Sequence, residues 1–500
     1  MTINNGYVTV SGRSSDLIIN SGILTINDGR FCTENFIQSI VNNKVGATLT
    51  INGGKYYKNG DGIEITNEGT AYIYGGNFTV IENLIYNKET GVAKIDGLTG
   101  VSVEWLTNYG TMDISNSSIG ENYMYNYATL NLTNVTLLYG SIQNSNDVGE
   151  ININGGTYNG KISANSGKLS IIDGTFNKTI RNWRGTVNIR GGKFASGVNN
   201  SGSGTINIGT KGDITDSGEL NVSTDNPNIT NTTYGVINTS GGIVNFYDGI
   251  ISGTTDAING TINEVEDGYE IISDTTDDGK KSKYLSRLPV AEVESTGDTY
   301  YTLQEAIDAS INSKEVIKLL RRFTTLNTLE TTNISEDKDI ILDLNGYTLE
   351  QNNENFLLNN GTLKITDSSE DNLGKIVMYT NKSIENNGVM VIENINISVN
   401  KALSNLINNN DSLKVNNVKI NSSNNISNFI NNSGVLEMNV GEYSISNGTF
   451  IYNLSNGSIT MDSITTTGNN SLIIVNNSGT SNNVKILNSN FSGRVINSES

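Results

Sequence analysis

The chain has no histidine, one cysteine, two prolines and two tryptophans among its 500 residues. Without histidine, Ser-His-Asp and Cys-His nucleophile systems and nearly all zinc and iron sites are excluded. The single Cys32 cannot close an internal disulfide, so no disulfide framework supports the fold. No run of about 20 apolar residues occurs, so no membrane span is expected in this chain. Residues 1–12, MTINNGYVTVSG, lack the basic start and apolar stretch of a signal peptide. Positive charge is scarce too: 32 Lys and Arg against 51 Asp and Glu leave a net charge of −19. That balance repels phosphates and argues against a nucleic-acid partner.

What is abundant is glycine, with 53 residues, and between the glycines run Asn, Thr, Ile, Val and Ser. Such runs favour strands joined by tight turns. One phrase returns throughout the first half, as GATLTINGGKY from Gly46, GEININGGTY from Gly149, GKLSIIDGTF from Gly167, GTVNIRGGKF from Gly185 and GTINIGTKGDI from Gly204. Consecutive starts lie about 17 to 24 residues apart, the period of one turn of a β-coil. Within each phrase apolar residues alternate with polar ones, as in Leu169 and Ile171 or Val187 and Ile189, the period-two mark of a strand with one buried face. Gly-Gly or Asp-Gly pairs follow and permit sharp turns, and an aromatic residue then reopens the chain: Tyr56, Phe78, Tyr158, Phe176 or Phe194.

One rung cannot bury its apolar side, so stacked rungs are required to make a continuous core. Just before most phrases stands an asparagine: Asn20, Asn67, Asn108, Asn126, Asn165 and Asn182, and later Asn359, Asn386, Asn409, Asn431 and Asn453. In register, these side chains predict an asparagine ladder at one corner, each amide bonding to the rung above.

The expected class is therefore all-β, a right-handed parallel β-helix or solenoid in two consecutive segments with one short capping α-helix near 302–313. Residues 1–258 form the first solenoid, 259–289 a polar connector, and 290–500 the second β-helix with the helix at its start. Thr302 with Glu305 supplies a capping box, and Leu303, Ala306, Ile307 and Ile311 share one helical face. The sequence stops at Ser500 in mid-pattern without a polar cap, so the second segment is expected to be truncated there.

The order YYTLQEAIDAS, VIKLL, KDIILDLNGYTLEQ and NNGTLKITDSS, within Val290–Gly374, resembles the opening of the pectate-lyase-like right-handed β-helices (the pectin lyase-like superfamily) of large bacterial surface proteins of the Firmicutes type. Elsewhere only the generic rung pattern agrees. The resemblance implies an extracellular or cell-surface location, attachment through other parts, and adhesion or display of other modules. It does not imply lyase activity, because one fold hosts many functions.

Carboxylates are the only catalytic chemistry left. Glu64, Asp113, Glu150 and Asp173 fall on different rungs and are expected to be solvated outward side chains. The denser groups Asp274, Asp277 and Asp278, and Asp367, Glu370 and Asp371, lack the spaced acidic loop that gives calcium its six or more oxygens. No catalytic, cofactor-binding or metal residue is assigned. RNWRG, from Arg181 to Gly185, is the local departure. If it carries one residue more than the neighbouring corner, it bulges and exposes Trp183 between Arg181 and Arg184, a flat aromatic between guanidiniums that suits a sugar or an acidic glycan. The competing reading is a tryptophan folded onto the coil to cover a corner. Trp105, amid alternating apolar residues, is expected in the core. The function expected is a non-enzymatic structural or adhesive stalk contacting carbohydrate or host-surface ligands. The alternative is a polysaccharide lyase or glycoside hydrolase.

Overall fold

A computed structural model of the chain describes residues 1–10, 16–33, 38–58, 63–79, 83–212, 227–324, 332–351, 357–371, 373–379, 382–422, 424–444, 448–454, 456–468, 471–476 and 484–497. Asp213 and Ile214, the last residues of the phrase from Gly204, lie outside these. The described residues form two compact units, Met1–Arg287 and Leu288–Ser500, in each of which most strands stack in parallel as right-handed β-solenoid turns, about 18 in all.

In the first unit each rung has three flanks. On the first flank the repeat phrase forms short strands such as Thr48–Ile51, Thr186–Ile189 and Thr205–Ile208, and like residues lie over one another. One inward column runs Ile26, Ile51, Ile73, Ile95, Ile114, Leu132, Ile153, Ile171, Ile189, Ile208 and Phe246, every member buried. Because each residue meets its own kind one rung away, burial is repeated rather than negotiated, and stability becomes a nearest-neighbour sum.

The aromatic residues that follow the turn point inward on the second flank and stack. Phe31, Tyr56 and Phe78 have ring centroids 5.1 and 4.6 Å apart, and Tyr158, Phe176 and Phe194 have centroids 5.0 and 4.6 Å apart. The buried hydroxyls of Tyr56 and Tyr158 donate to the carbonyls of Gly53 and Gly155 at the preceding turn. Gly156 shows why that turn needs glycine: its φ is +97°, and an added Cβ would stand 2.2 Å from the Val135 carbonyl oxygen.

The third flank ends at the corner ladder. Asn20, Asn43, Asn67, Asn87, Asn108 and Asn126 each donate Nδ2 to the Oδ1 of the next, the last to Asn144, at 2.7–3.0 Å. The next rung does not use Asn165: Ala164 occupies the ladder position, pairing with Asn144 below and Asn182 above. The ladder resumes from Asn182 to Asn200 and Asn238. The interruption is visible chemically, because Asn182 Oδ1 is buried with no hydrogen-bond donor. In the second unit the ladder is Asn359, Asn386, Asn409, Asn432 and Asn453. Asn432, not Asn431, is the member there; Asn431 lies on the outward parity and donates to Asn408. Asn359 Oδ1 lacks a donor for the same reason as Asn182, since Ile334 precedes it in register.

Residues 259–289, expected as a connector, carry Glu264–Val265 and the antiparallel hairpin Tyr269–Thr275 with Lys281–Arg287, whose second strand pairs antiparallel with Ile250–Gly253. The polar run that reads as linker is a hairpin turned at Asp277-Asp278-Gly279, one of whose residues, Leu285, is buried in the core. Reversing direction ends the parallel ladder on that flank and covers a strand edge.

The second unit opens with Ala291–Val293, antiparallel to both Asp298–Tyr300 and Glu315–Leu319. Its helix spans Leu303–Ala309, with Thr302 as N-cap and both halves of the capping box formed with Glu305. Leu303, Ala306 and Ile307 are buried, but the helix stops before Ile311, which is 87% exposed rather than on the buried face. The stop comes at Ser310, whose backbone is extended and whose hydroxyl donates to the Ala306 carbonyl. After it, Asn345 and Gly346 turn the chain with positive φ between Asp339–Asp343 and Thr348–Gln351.

Candidate functional site

The outward residues of the third flank in the first unit bring together side chains far apart in sequence. Strand register aligns Trp105, Tyr123, Ser141 and Lys161 in one column, and Thr107, Tyr125, Gln143, Ser163, Arg181 and Asn199 in the next. Successive members stand about 4.8 Å apart, the spacing of paired strands. Trp105 is 37% exposed and Tyr123 41% exposed. Tyr123 and Tyr125 stack with centroids 5.7 Å apart. A shallow groove of about 540 Å³ crosses this flank, lined by Tyr123, Gly140, Ser141, Gln143, Lys161, Ser163 and Arg181. Its lower end is aromatic, its middle hydroxyl and amide, its upper end cationic.

Along the adjoining corner, the residue after each ladder position also forms a row. Tyr109 and Tyr127 stack at 4.4 Å with planes 3° apart, and Tyr86 leans on Tyr109 at 5.6 Å. Burial among neighbouring rings raises the phenol pKa of Tyr109, Tyr125 and Tyr127. Three rungs above Tyr127, after Ser145 and Asn165, the row reaches Trp183, roughly 14 Å along at the strand spacing.

RNWRG does not bulge. The Trp183 amide donates to the Ala164 carbonyl and the Arg184 amide to the Asn165 carbonyl, both at 3.1 Å, so the segment matches its neighbour residue for residue. Trp183 is nonetheless 53% exposed, because the corner position itself faces outward. Arg181 and Arg184 are exposed on either side of it. Trp105 departs from its expected core place because the parity of its strand is set by Leu106 and Asn108, both fully buried, which leaves Trp105 and Thr107 on the other face.

Lys161, Arg181 and Arg184 form no ion pair with a described residue. They belong to a segregation of charge that a residue-by-residue reading passes over. Between residues 151 and 212 eight Lys and Arg face a single acid, Asp173, while the rest of the chain holds 24 against 50. Counting charge by rung rather than by chain is the signal that finds it, and it also finds Lys161.

The acids behave differently from one another. Glu64 is buried, at 1% exposed, and Asp367 is buried at 5%, so neither is a solvated side chain. Asp367 accepts from the amides of Gly346 and Gly374 at 2.7 Å and from the Ser369 hydroxyl at 2.8 Å, locking the turn that reopens the second unit's rungs. Burial opposes its ionisation, but these bonds outweigh that and hold its carboxyl below the ordinary aspartate value. Glu150 pairs with Lys168 across one rung, Asp113 accepts from Asn131, and Asp278 pairs with Lys280 at the hairpin turn. Among the described residues no group of three or more His, Cys, Asp and Glu is placed to hold a metal ion, and no helix is long and apolar enough to cross a membrane.

In comparison with known proteins, no family model matches the chain and no curated protein matches it.

Proposed function

We propose that this chain is a non-enzymatic β-solenoid module of a bacterial cell surface, a structural or adhesive stalk that contacts glycans through the third flank of its first unit, around Arg181, Trp183 and Arg184. The observation that carries this reading is the flank's composition. Exposed rings at Trp105, Tyr123 and Trp183 border rows of hydroxyl and amide groups, on strands held in fixed register. Flat aromatic faces take the apolar face of a sugar ring, and fixed amides and hydroxyls take its hydroxyls. Preorganisation lowers the entropy cost of such contacts. Outward asparagine ladders, such as Asn333, Asn360, Asn387 and Asn410 in the second unit, add repetitive polar surface of the kind a spacer presents to water. The surface location rests on the likeness of Val290–Gly374 to surface β-helices.

The test is a glycan array combined with a turnover screen on the purified chain. Retention of glycans that W183A and Y123A weaken, with no product formed, supports the reading. Release of products from pectin-like or host glycans overturns the non-enzymatic part, and absence of any retained glycan overturns the glycan contact.

A further inference from the structure

Resting on that glycan-binding reading, we infer that the ligand of the third flank is an anionic polysaccharide, whose sugar faces lie on the Trp105 and Tyr123 end and whose acidic groups lie on Lys161, Arg181 and Arg184. The groove is built with a polarity. Its aromatic end precedes its cationic end by two to three rungs, and the register leaves Ser141, Gln143 and Ser163 between them. A pyranose repeat is about as long as the strand spacing of about 4.8 Å, so a linear glycan laid along the solenoid axis meets a new outward side chain with each sugar. Chain direction and charge position are then read together.

The cations are the unusual part. Several lysines elsewhere are paired across one rung, as Lys88 with Glu68, Lys364 with Glu393 and Lys414 with Glu437. Lys161 and Arg181 are exposed too, but their rung neighbours are Ser141, Ser163 and Asn199, which carry no charge. In a chain of net charge −19 a patch of unneutralised cations attracts a polyanion that the acidic surface otherwise repels. Arg181 and Arg184 offer planar forks that match carboxylate or sulfate, and Trp183 between them adds a ring face.

The experiment measures binding of the full chain to hyaluronan oligosaccharides, which carry carboxylates, and to heparin oligosaccharides, which add sulfates. Dextran oligosaccharides serve as neutral probe, and polyglutamate and single-stranded DNA as anionic polymers that are not glycans. The expected result is binding of one or both acidic glycans that weakens as salt rises, with a K161Q/R181Q/R184Q variant losing at least about fivefold in affinity and K94Q, on the first flank, losing nothing. The variants' melting curves report whether folding is retained, and R181K, which keeps the charge but removes the fork, isolates Arg181's geometry. If dextran binds and Y123A abolishes it while the triple variant changes nothing, the anionic assignment fails and the glycan reading stands. If no glycan binds, both fail. If polyglutamate or DNA binds as tightly as the acidic glycans, the flank is a simple ion exchanger and the inference is overturned.

Discussion

Replacing Ala164 by asparagine should stabilise the first unit, because it fills the interruption in the corner ladder. Below it, Asn144 Nδ2 donates to the carbonyls of Gly149 and Lys168 but has no side-chain acceptor on the next rung. Above it, Asn182 Oδ1 is buried without a donor. A new amide at position 164 accepts from Asn144, a hydrogen bond of about 1 kcal/mol. Its donation to Asn182 satisfies the buried acceptor there, a defect of about 1–3 kcal/mol. Ordering the new side chain costs about 1 kcal/mol, so A164N should gain about 1–3 kcal/mol. The control is internal to the ladder. Asn126 both accepts from Asn108 and donates to Asn144, whereas Asn182 only donates. N126A should therefore cost about 1–2 kcal/mol more than N182A. Denaturant melts of the four proteins measure this, and amide exchange at Trp183 and Thr186, whose N–H groups bond to Ala164 and Gly167, reports it locally. A destabilised A164N, or equal losses in N126A and N182A, would refute ladder continuity as a source of stability.

Removing the middle ring of an internal stack, F176A, should cost about 3–5 kcal/mol, since Phe176 is buried between Tyr158 and Phe194; calorimetry on the purified variant checks it. At the helix of the second unit, T302A should lose about 1 kcal/mol through the cap, while I311N should stay within about 0.5 kcal/mol because Ile311 lies outside the helix in solvent. Asp367 gives a pH dependence. Its carboxyl titrates lower when folded than when unfolded, so its stabilising contribution is complete above the unfolded aspartate pKa and is lost as pH falls through the lower folded value. Acid melts should show D367N less stable than the parent near neutrality, with the gap narrowing towards acid pH; a gap that does not depend on pH would rule out the ionised carboxylate as the acceptor that matters.

Local order is legible in these residues because a strand needs only two-residue alternation and a turn only its glycine. Alternating Leu169 and Ile171, the period of the phrases and the capping box at Thr302 are short-range facts, so class, rung repeat and helix start follow from the sequence alone. Parity and register are different. Whether Trp105 faces in or out depends on which neighbour is anchored in the core, and Leu106 takes that place. Whether Asn165 or Ala164, Asn431 or Asn432, stands in the ladder depends on counting along a rung whose turns vary in length, and a slip of one residue moves a side chain to the opposite face. The groove has the same origin. Lys161 and Arg181 are 20 residues apart in the chain, and Tyr123 is 38 residues before Lys161. Only the stacking of strands, which converts sequence distance into a spacing of about 4.8 Å per rung, sets rings and unneutralised cations on one flank.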